Sequence, residues 1–257
     1  VKFGAQIRTG VTVQTVRKRD DGQFETITDT GDVYLSPTVI ITAGGTPVKL
    51  GVPGELEYAG KGVSYCAICD GAFFRNQTIA VVGGGDAAAE ESDFLTRYAS
   101  KVYLIHRRGE LRASKILQQR VFENPKIEPI WDTVVERVDA DGQGLVKSLK
   151  LRNVRSGETQ DLPATGMFVF IGFRPNTGII EGHVDHDDMG YLRTDANMQT
   201  SIPGLFAAGD VRAQLTRQVT TAVGDATTAA IAAEKYLKAL ADGQKVPVIS
   251  GTGGYTA

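Results

Sequence analysis

Cys66 and Cys69, separated by two residues in Cys-Ala-Ile-Cys-Asp, are the two cysteines of a 257-residue chain. Thiols at this spacing can close a small disulfide, and in a reducing compartment the pattern points to redox chemistry or to metal. A tetrahedral zinc site would need two further ligands. His183 and His186, three residues apart in an acidic segment, make a Cys2His2 set conceivable. A third reading is two buried small apolar residues, which the flanking Asp70 and Gly71 fit poorly. A secreted disulfide scaffold would carry more cysteines. The weight falls on a redox-active pair.

The second motif is a glycine turn. Residues 78–82 form a β-branched apolar run that reads as a buried parallel strand. Gly83, Gly84, Gly85, Asp86, Ala87 and Ala88 follow at once and fit G-x-G-x-x-A. In that pattern Gly83 permits the tight turn, Gly85 admits a pyrophosphate to the backbone, and Ala88 lets a helix lie close to the strand. A helix is predicted over residues 86–98, its N-terminal N–H groups open to phosphate. A further strand is predicted over residues 101–105. A fold specific for NAD places Asp or Glu at that strand's end. Here the end reads His106, Arg107, Arg108, with Arg112 one turn on and Glu110 as the nearest carboxylate. Guanidinium forks suit a 2′-phosphate, so NADPH is expected rather than NADH. A solvated basic loop is the plainer alternative.

A second ligand crevice is assembled from distant parts. Residues 39–41 read as a buried strand ending in Thr42, Ala43, Gly44 and Gly45. Residues 204–206 lead as another short strand into Ala207, Ala208, Gly209 and Asp210, which sets one carboxylate beside closely approachable backbone. Arg217, Gln218 and Val219 open a small-residue helix predicted over residues 219–238, whose N-terminus would stabilise an electron-rich group. Spacing alone does not name that ligand.

Taken in order, Cys66 through Gly71, Gly83 through Ala88, His106-Arg107-Arg108 with Arg112, Gly209-Asp210 and Arg217-Gln218 resemble low-molecular-weight, bacterial-type thioredoxin reductase. The resemblance covers nearly the whole chain. It implies FAD beside NADPH and no metal. It sets Asp210 near the ribityl chain, the backbone around Gln218 and Val219 at the flavin N1–C2=O edge, and Ile171 and Val211 among the cofactor contacts. Cys69 would face the flavin C4a, Cys66 would attack the partner's disulfide, and Asp70 would act as general acid; a helix cap is the other reading of Asp70. Thioredoxin or a similar small disulfide protein is the implied partner, and a homodimer the implied assembly. Nicotinamide and dithiol would share one domain and meet one flavin face, so the two connecting segments are expected to act as hinges. The rivals are the reductase component of a peroxide-reducing system, a ferredoxin–NADP reductase look-alike that the two cysteines argue against, and a non-catalytic nucleotide-binding remnant.

The elements that must position these groups give an α/β fold with two Rossmann-like nucleotide-binding domains of the three-layer type. Residues 48–172 are expected to form an NADPH-binding domain inserted in a discontinuous FAD-binding domain of residues 1–47 and 173–257. The Pro/Gly-rich residues 46–54 and residues 173–177 are predicted linkers. Residues 11–19 and 23–28, separated by Asp21-Gly22, read as a hairpin. Residues 131–151 read as an antiparallel meander turning at Asp141-Gly142, and residues 241–257 as a frayed tail. The chain opens on Val1, and residues 1–10 read as the end of a helix running into a strand. The resembled family carries a strand, glycine turn and helix for the FAD pyrophosphate, and no such fingerprint precedes residue 39. An upstream segment is therefore expected; without one, weak or no flavin binding would follow. Apolar residues make up 42% of the chain and charged ones 23%, an ordinary globular balance. A net charge of −2 gives no pull toward nucleic acid or membrane. With no spanning apolar run and no visible leader, a cytoplasmic protein is expected.

Overall fold

Thr78–Gly83 lies at the middle of a five-stranded sheet. The computed structural model, which describes residues 4–244, pairs this strand in parallel with Gly166–Phe170 on one side and Lys101–Ile105 on the other. Val63–Ser64 and Ile127–Ile130 complete the sheet, also in parallel. Alternation along the strands sorts two faces. Ile79, Val81, Val102, Leu104 and Phe168 pack on one side with Ala88, Leu95 and Val121, which belong to the helices Asp86–Leu95 and Lys115–Glu123. Ala80, Val82, Ile105, Met167 and Val169 pack on the other with Val135, Val138, Leu149 and Leu151. These last come from an antiparallel meander of Thr133–Ala140, Val146–Asn153 and Thr159–Pro163. A sheet covered on both faces has no solvent side, which is why its strands read as unbroken apolar runs. This unit spans Pro47–Phe173.

Val1–Thr46 and Arg174–Ala257 form a second unit. Val39–Ile41 pairs in parallel with Leu205–Ala207. The helix Val219–Ala241 lays Ala229, Ala233 and Tyr236 against Phe206 and Ala208. Alanines at the contact let the helix come close to the strand. Val13–Lys18, Phe24–Thr28 and Val33–Ser36 make a three-stranded antiparallel sheet. Its Val16 and Phe24 join Ile41, Leu192 and Leu205 in one core. The chain passes between the units in two short strands, Gly45–Pro47 and Phe173–Pro175, that pair with each other. Among the described residues no helix is long and apolar enough to cross a membrane.

Several expected elements shift, each for a local reason. The helix after the glycine turn ends at Leu95, not residue 98, because Arg97 and Tyr98 bond back three residues and Thr96 Oγ donates to Asp93 O at 2.6 Å. The strand before Gly209 begins at Leu205, since Gly204 has φ +87 and cannot extend it. The long helix runs on to Ala241. The hairpin gains the strand Val33–Ser36, whose Val33 and Leu35 are exposed and give no apolar alternation to read. The meander likewise gains Thr159–Pro163. Residues 4–10 carry no helix or strand; residues 1–3 lie outside the described residues, as do residues 245–257 of the expected tail.

The segment at residues 46–54 is the largest departure. It is packed rather than slack, and Glu55 just after it is fully buried. The Glu55 carboxylate accepts from the N–H groups of Leu50 at 2.9 Å and Gly51 at 2.7 Å and from the Tyr65 hydroxyl at 3.0 Å. Leu50 and Val52 pack on the meander core. A buried carboxyl with three donors folds a turn that proline and glycine content alone describes as a linker. Burial, then Glu55 as its hydrogen-bond partner and neighbouring charge, pushes the Tyr65 phenol well above its usual value.

Candidate active site

Cys66 and Cys69 are joined in a disulfide, with their Cα atoms 5.3 Å apart. Cys66 caps the helical turn Ala67–Asp70, and its Sγ accepts from the N–H of Cys69 at 3.1 Å. A donor aimed at this sulfur favours the thiolate once the bond is reduced. Cys66 is half-buried and Cys69 exposed. The two sulfurs are bonded to each other. His183 Nε2 lies 3.6 Å from Asp185 Oδ1, and His186 Nδ1 lies 2.9 Å from the carbonyl of Asp187.

Asp70 ends the same turn. Its Oδ2 accepts from Ser64 Oγ at 2.6 Å. It is also the N-cap residue of the 3₁₀ turn Gly71–Phe74, yet its side chain makes no cap bond there. The cap reading is therefore overturned: the carboxylate is engaged sideways by a serine. Ser64 was not legible as a site residue. A hydroxyl two positions before the first cysteine, at the end of a two-residue strand, is the signal that could have found it.

The glycine turn sits at the C-terminal end of the central strand, where the order of connections reverses: the following strand lies on one side and Gly166–Phe170 on the other. Ligands collect at such points in parallel sheets. At Gly83 a Cβ would lie 2.4 Å from Phe170 O and 2.6 Å from the Ala88 Cβ, so helix, turn and neighbouring strand meet there without space for a side chain. At Gly84 a Cβ would fall 2.1 Å from His106 Cε1. The imidazole lies directly under the turn. At Gly85 a Cβ would meet nothing within 4 Å, which leaves that side of the turn open. Asp86 and Ala87 are exposed in the first helical turn. Asp86 Oδ1 accepts from Ser114 N–H at 2.6 Å, and Gly84 O accepts from Arg112 N–H at 2.7 Å, so the C-terminal part of the basic loop is tied to the glycine turn by two main-chain donors.

His106 is buried, and its Nε2 has no hydrogen-bond partner. Arg107, Arg108 and Arg112 are exposed, and among the described residues none forms a salt bridge. Free guanidinium groups around an unpartnered buried ring nitrogen fit an acceptor-rich anion. Burial holds the imidazole below its ordinary value. A hydrogen bond with the Gly83 backbone works the other way, and the charges of Arg112 and Arg108 push in the same direction as burial. A depressed base binds fewer protons folded than unfolded, so stability is present above the unfolded value of about 6.5 and drains as pH falls below it. The urea midpoint is therefore expected to drop on going from about pH 7 to about pH 5.5. His106→Gln should flatten that drop, and an equal slope in the variant would show that other groups cause it.

In the other unit, Gly209 (φ +76) and Val211 are buried and Asp210 is partly exposed. Gly209–Val211 forms a 3₁₀ turn. Asp225, nearly two turns into the long helix, accepts from Gly209 N–H at 3.1 Å and pairs with Arg212 at 2.7 Å. This aspartate, alone among small residues of its helix segment, was another missed member. Gln218 caps the helix, and Val219 begins it, 80% exposed. Arg217 stacks its guanidinium over the Tyr191 ring at 4.0 Å, and its Nε is buried without a hydrogen-bond partner.

The sequence matches the Pyridine nucleotide-disulphide oxidoreductase family over residues 2–226. It is 46% identical to a thioredoxin reductase of Streptomyces coelicolor over 246 residues, 95% of this chain and 75% of that protein. It is 47% identical to a thioredoxin reductase of Treponema pallidum over 240 residues, 93% of this chain and 76% of that protein. The chain belongs to the thioredoxin reductase family. The crystal structure of thioredoxin reductase from Streptococcus pyogenes superposes with a TM-score of 0.84 at 44% identity, covering 89% of this chain and 74% of that one. Thioredoxin reductases of this family bind FAD and use NADPH. Each unit thus carries one buried side-chain nitrogen without a hydrogen-bond partner among the described residues, His106 Nε2 in one and Arg217 Nε in the other. Ile171 follows the strand Gly166–Phe170 and is 38% exposed.

Proposed function

We propose that this protein carries electrons from NADPH by way of FAD to the Cys66–Cys69 disulfide, and from the resulting dithiol to thioredoxin. The observation that supports it best is one unit holding both a CxxC disulfide and a glycine turn whose next strand end carries three exposed arginines that form no salt bridge among the described residues. Gly83 through Ala88 would hold the NADPH pyrophosphate, with His106, Arg107, Arg108 and Arg112 at its 2′-phosphate and Ile171 among the contacts. Gly209, Asp210, Val211, Arg217, Gln218 and Val219 would hold FAD. The unpartnered Arg217 Nε and the N-terminus of a 23-residue helix suit the acceptor-rich edge of a flavin. Bound FAD supplies the two-electron relay between a nicotinamide and a disulfide.

The protein's own residues do the sulfur chemistry. The Cys66–Cys69 bond takes up two electrons and two protons to become a dithiol. Cys66, whose sulfur has the Cys69 N–H aimed at it, loses its proton and attacks the partner's disulfide. One partner sulfur leaves as a thiolate and the other stays bonded to Cys66. Cys69 then attacks Cys66 Sγ, which restores the disulfide and releases the second partner thiolate. Asp70 gives a proton to a leaving thiolate and recovers it from a cysteine thiol. The crossings Gly45–Pro47 and Phe173–Pro175 serve as the hinges that bring nicotinamide and dithiol to FAD in turn. A homodimer acting in the reducing cytoplasm completes the reading.

The test is NADPH consumption by the FAD-loaded protein. It should proceed with oxidised thioredoxin and an aromatic disulfide as terminal acceptor. Equal consumption with ferredoxin and none with thioredoxin would end the proposal, and a colourless protein that binds NADPH without turnover would make it a nucleotide-binding remnant.

A further inference from the structure

Ser64 is 4% exposed and ends the strand Val63–Ser64, two residues before the redox pair. Its Oγ makes three contacts: Asp70 Oδ2 at 2.6 Å, the N–H of Cys66 at 3.1 Å and the carbonyl of Cys66 at 3.3 Å. One hydroxyl proton cannot serve two acceptors at once. Toward an ionised Asp70 the proton goes to Oδ2, the closer and charged acceptor. When Asp70 carries a proton on Oδ2 it becomes a donor to Ser64 Oγ, and the serine proton turns to the Cys66 carbonyl. In both states every polar group keeps a partner while Ser64 Oγ goes on receiving the Cys66 N–H. The other ionisable groups facing this place are Lys61 and Asp141, which line the same cavity with Ser64, Asp70, Phe73 and Gln77.

We propose that Ser64 is a positioning residue for proton transfer at the dithiol, its hydroxyl swinging between Asp70 Oδ2 and the Cys66 carbonyl as Asp70 gives up and recovers its proton. The proposal rests on Asp70 acting as the acid. The transfer balances: protonated Asp70 and a partner thiolate become carboxylate and thiol, and a cysteine thiol later returns the proton. No bond to Ser64 is made or broken. Without the hydroxyl, Asp70 Oδ2 and the Cys66 N–H lose a shared buried partner and the carboxyl is no longer held in one orientation.

A double-mutant cycle on the FAD-loaded protein with oxidised thioredoxin as substrate tests this. Asp70→Asn is expected to lower kcat about a hundredfold. Ser64→Ala is expected to lower kcat about tenfold with KM for thioredoxin unchanged, the loss of one hydrogen bond to a charged group. NADPH affinity, read at the separate glycine turn, should be unaltered and reports that the variant is folded. In the Asp70→Asn background Ser64→Ala should cost nothing further, because the residue it acts through is gone. Additive losses, or a rise in KM in place of the fall in kcat, would overturn the role of Ser64 and leave that of Asp70 standing. Full turnover in Asp70→Asn would overturn both.

Discussion

Cys69→Ser is expected to cut thioredoxin turnover about a thousandfold or more while NADPH still binds and still bleaches the visible absorbance of the FAD-loaded protein. The serine oxygen cannot close a bond to Cys66 Sγ, so the pair no longer stores two electrons. Cys66 remains, partly buried and with an N–H donor aimed at its sulfur. It can still attack an oxidised thioredoxin, but no neighbouring thiol then resolves the mixed disulfide. A covalent complex that survives non-reducing electrophoresis and dissolves on adding dithiothreitol is the second expected sign. Cys66→Ser should lose turnover equally and trap no complex. Turnover that persists in Cys69→Ser would end the relay through this pair.

The next largest effect is expected at the end of the strand Lys101–Ile105. Arg107→Ala with Arg108→Ala should raise KM for NADPH about a hundredfold and change KM for NADH less than about threefold. Both side chains are exposed and, among the described residues, neither is spent on a carboxylate. Their charge is thus available to a phosphate that only one of the two nucleotides carries. Arg112 is left in place because its main-chain N–H holds Gly84 O at 2.7 Å. An equal loss for both nucleotides would move the arginines from the 2′-phosphate to the pyrophosphate or to the shape of the loop. The pH-dependent stability traced to His106 gives an independent view of the same turn, since its ring lies under Gly84.

Short-range chemistry was readable from the residues themselves. Strands Lys101–Ile105 and Val39–Ile41 were found to the residue, and the central strand all but its last residue, because burial on both faces demands unbroken apolar runs. The glycine turn was read correctly as a tight meeting of strand and helix, but for only part of its reason. That Gly84 must lack a side chain because an imidazole 22 positions further on lies beneath it is a contact across the sheet, invisible to spacing.

The order of motifs also specified the family, since CxxC, glycine turn, basic strand end and Gly-Asp each constrain different chemistry. What folding alone decided is which groups share a proton or a bond. Ser64 reaches Asp70 because a two-residue strand pairs with Gly166–Phe170, about a hundred residues away, and sets the direction in which the redox turn begins. Glu55 turns a proline- and glycine-rich stretch into a packed bend because three donors converge on one buried carboxylate. A local motif carries the identity of reacting atoms, whereas hydrogen-bond partners of buried polar groups come from whatever the core brings alongside, and that choice is made only when the chain closes on itself.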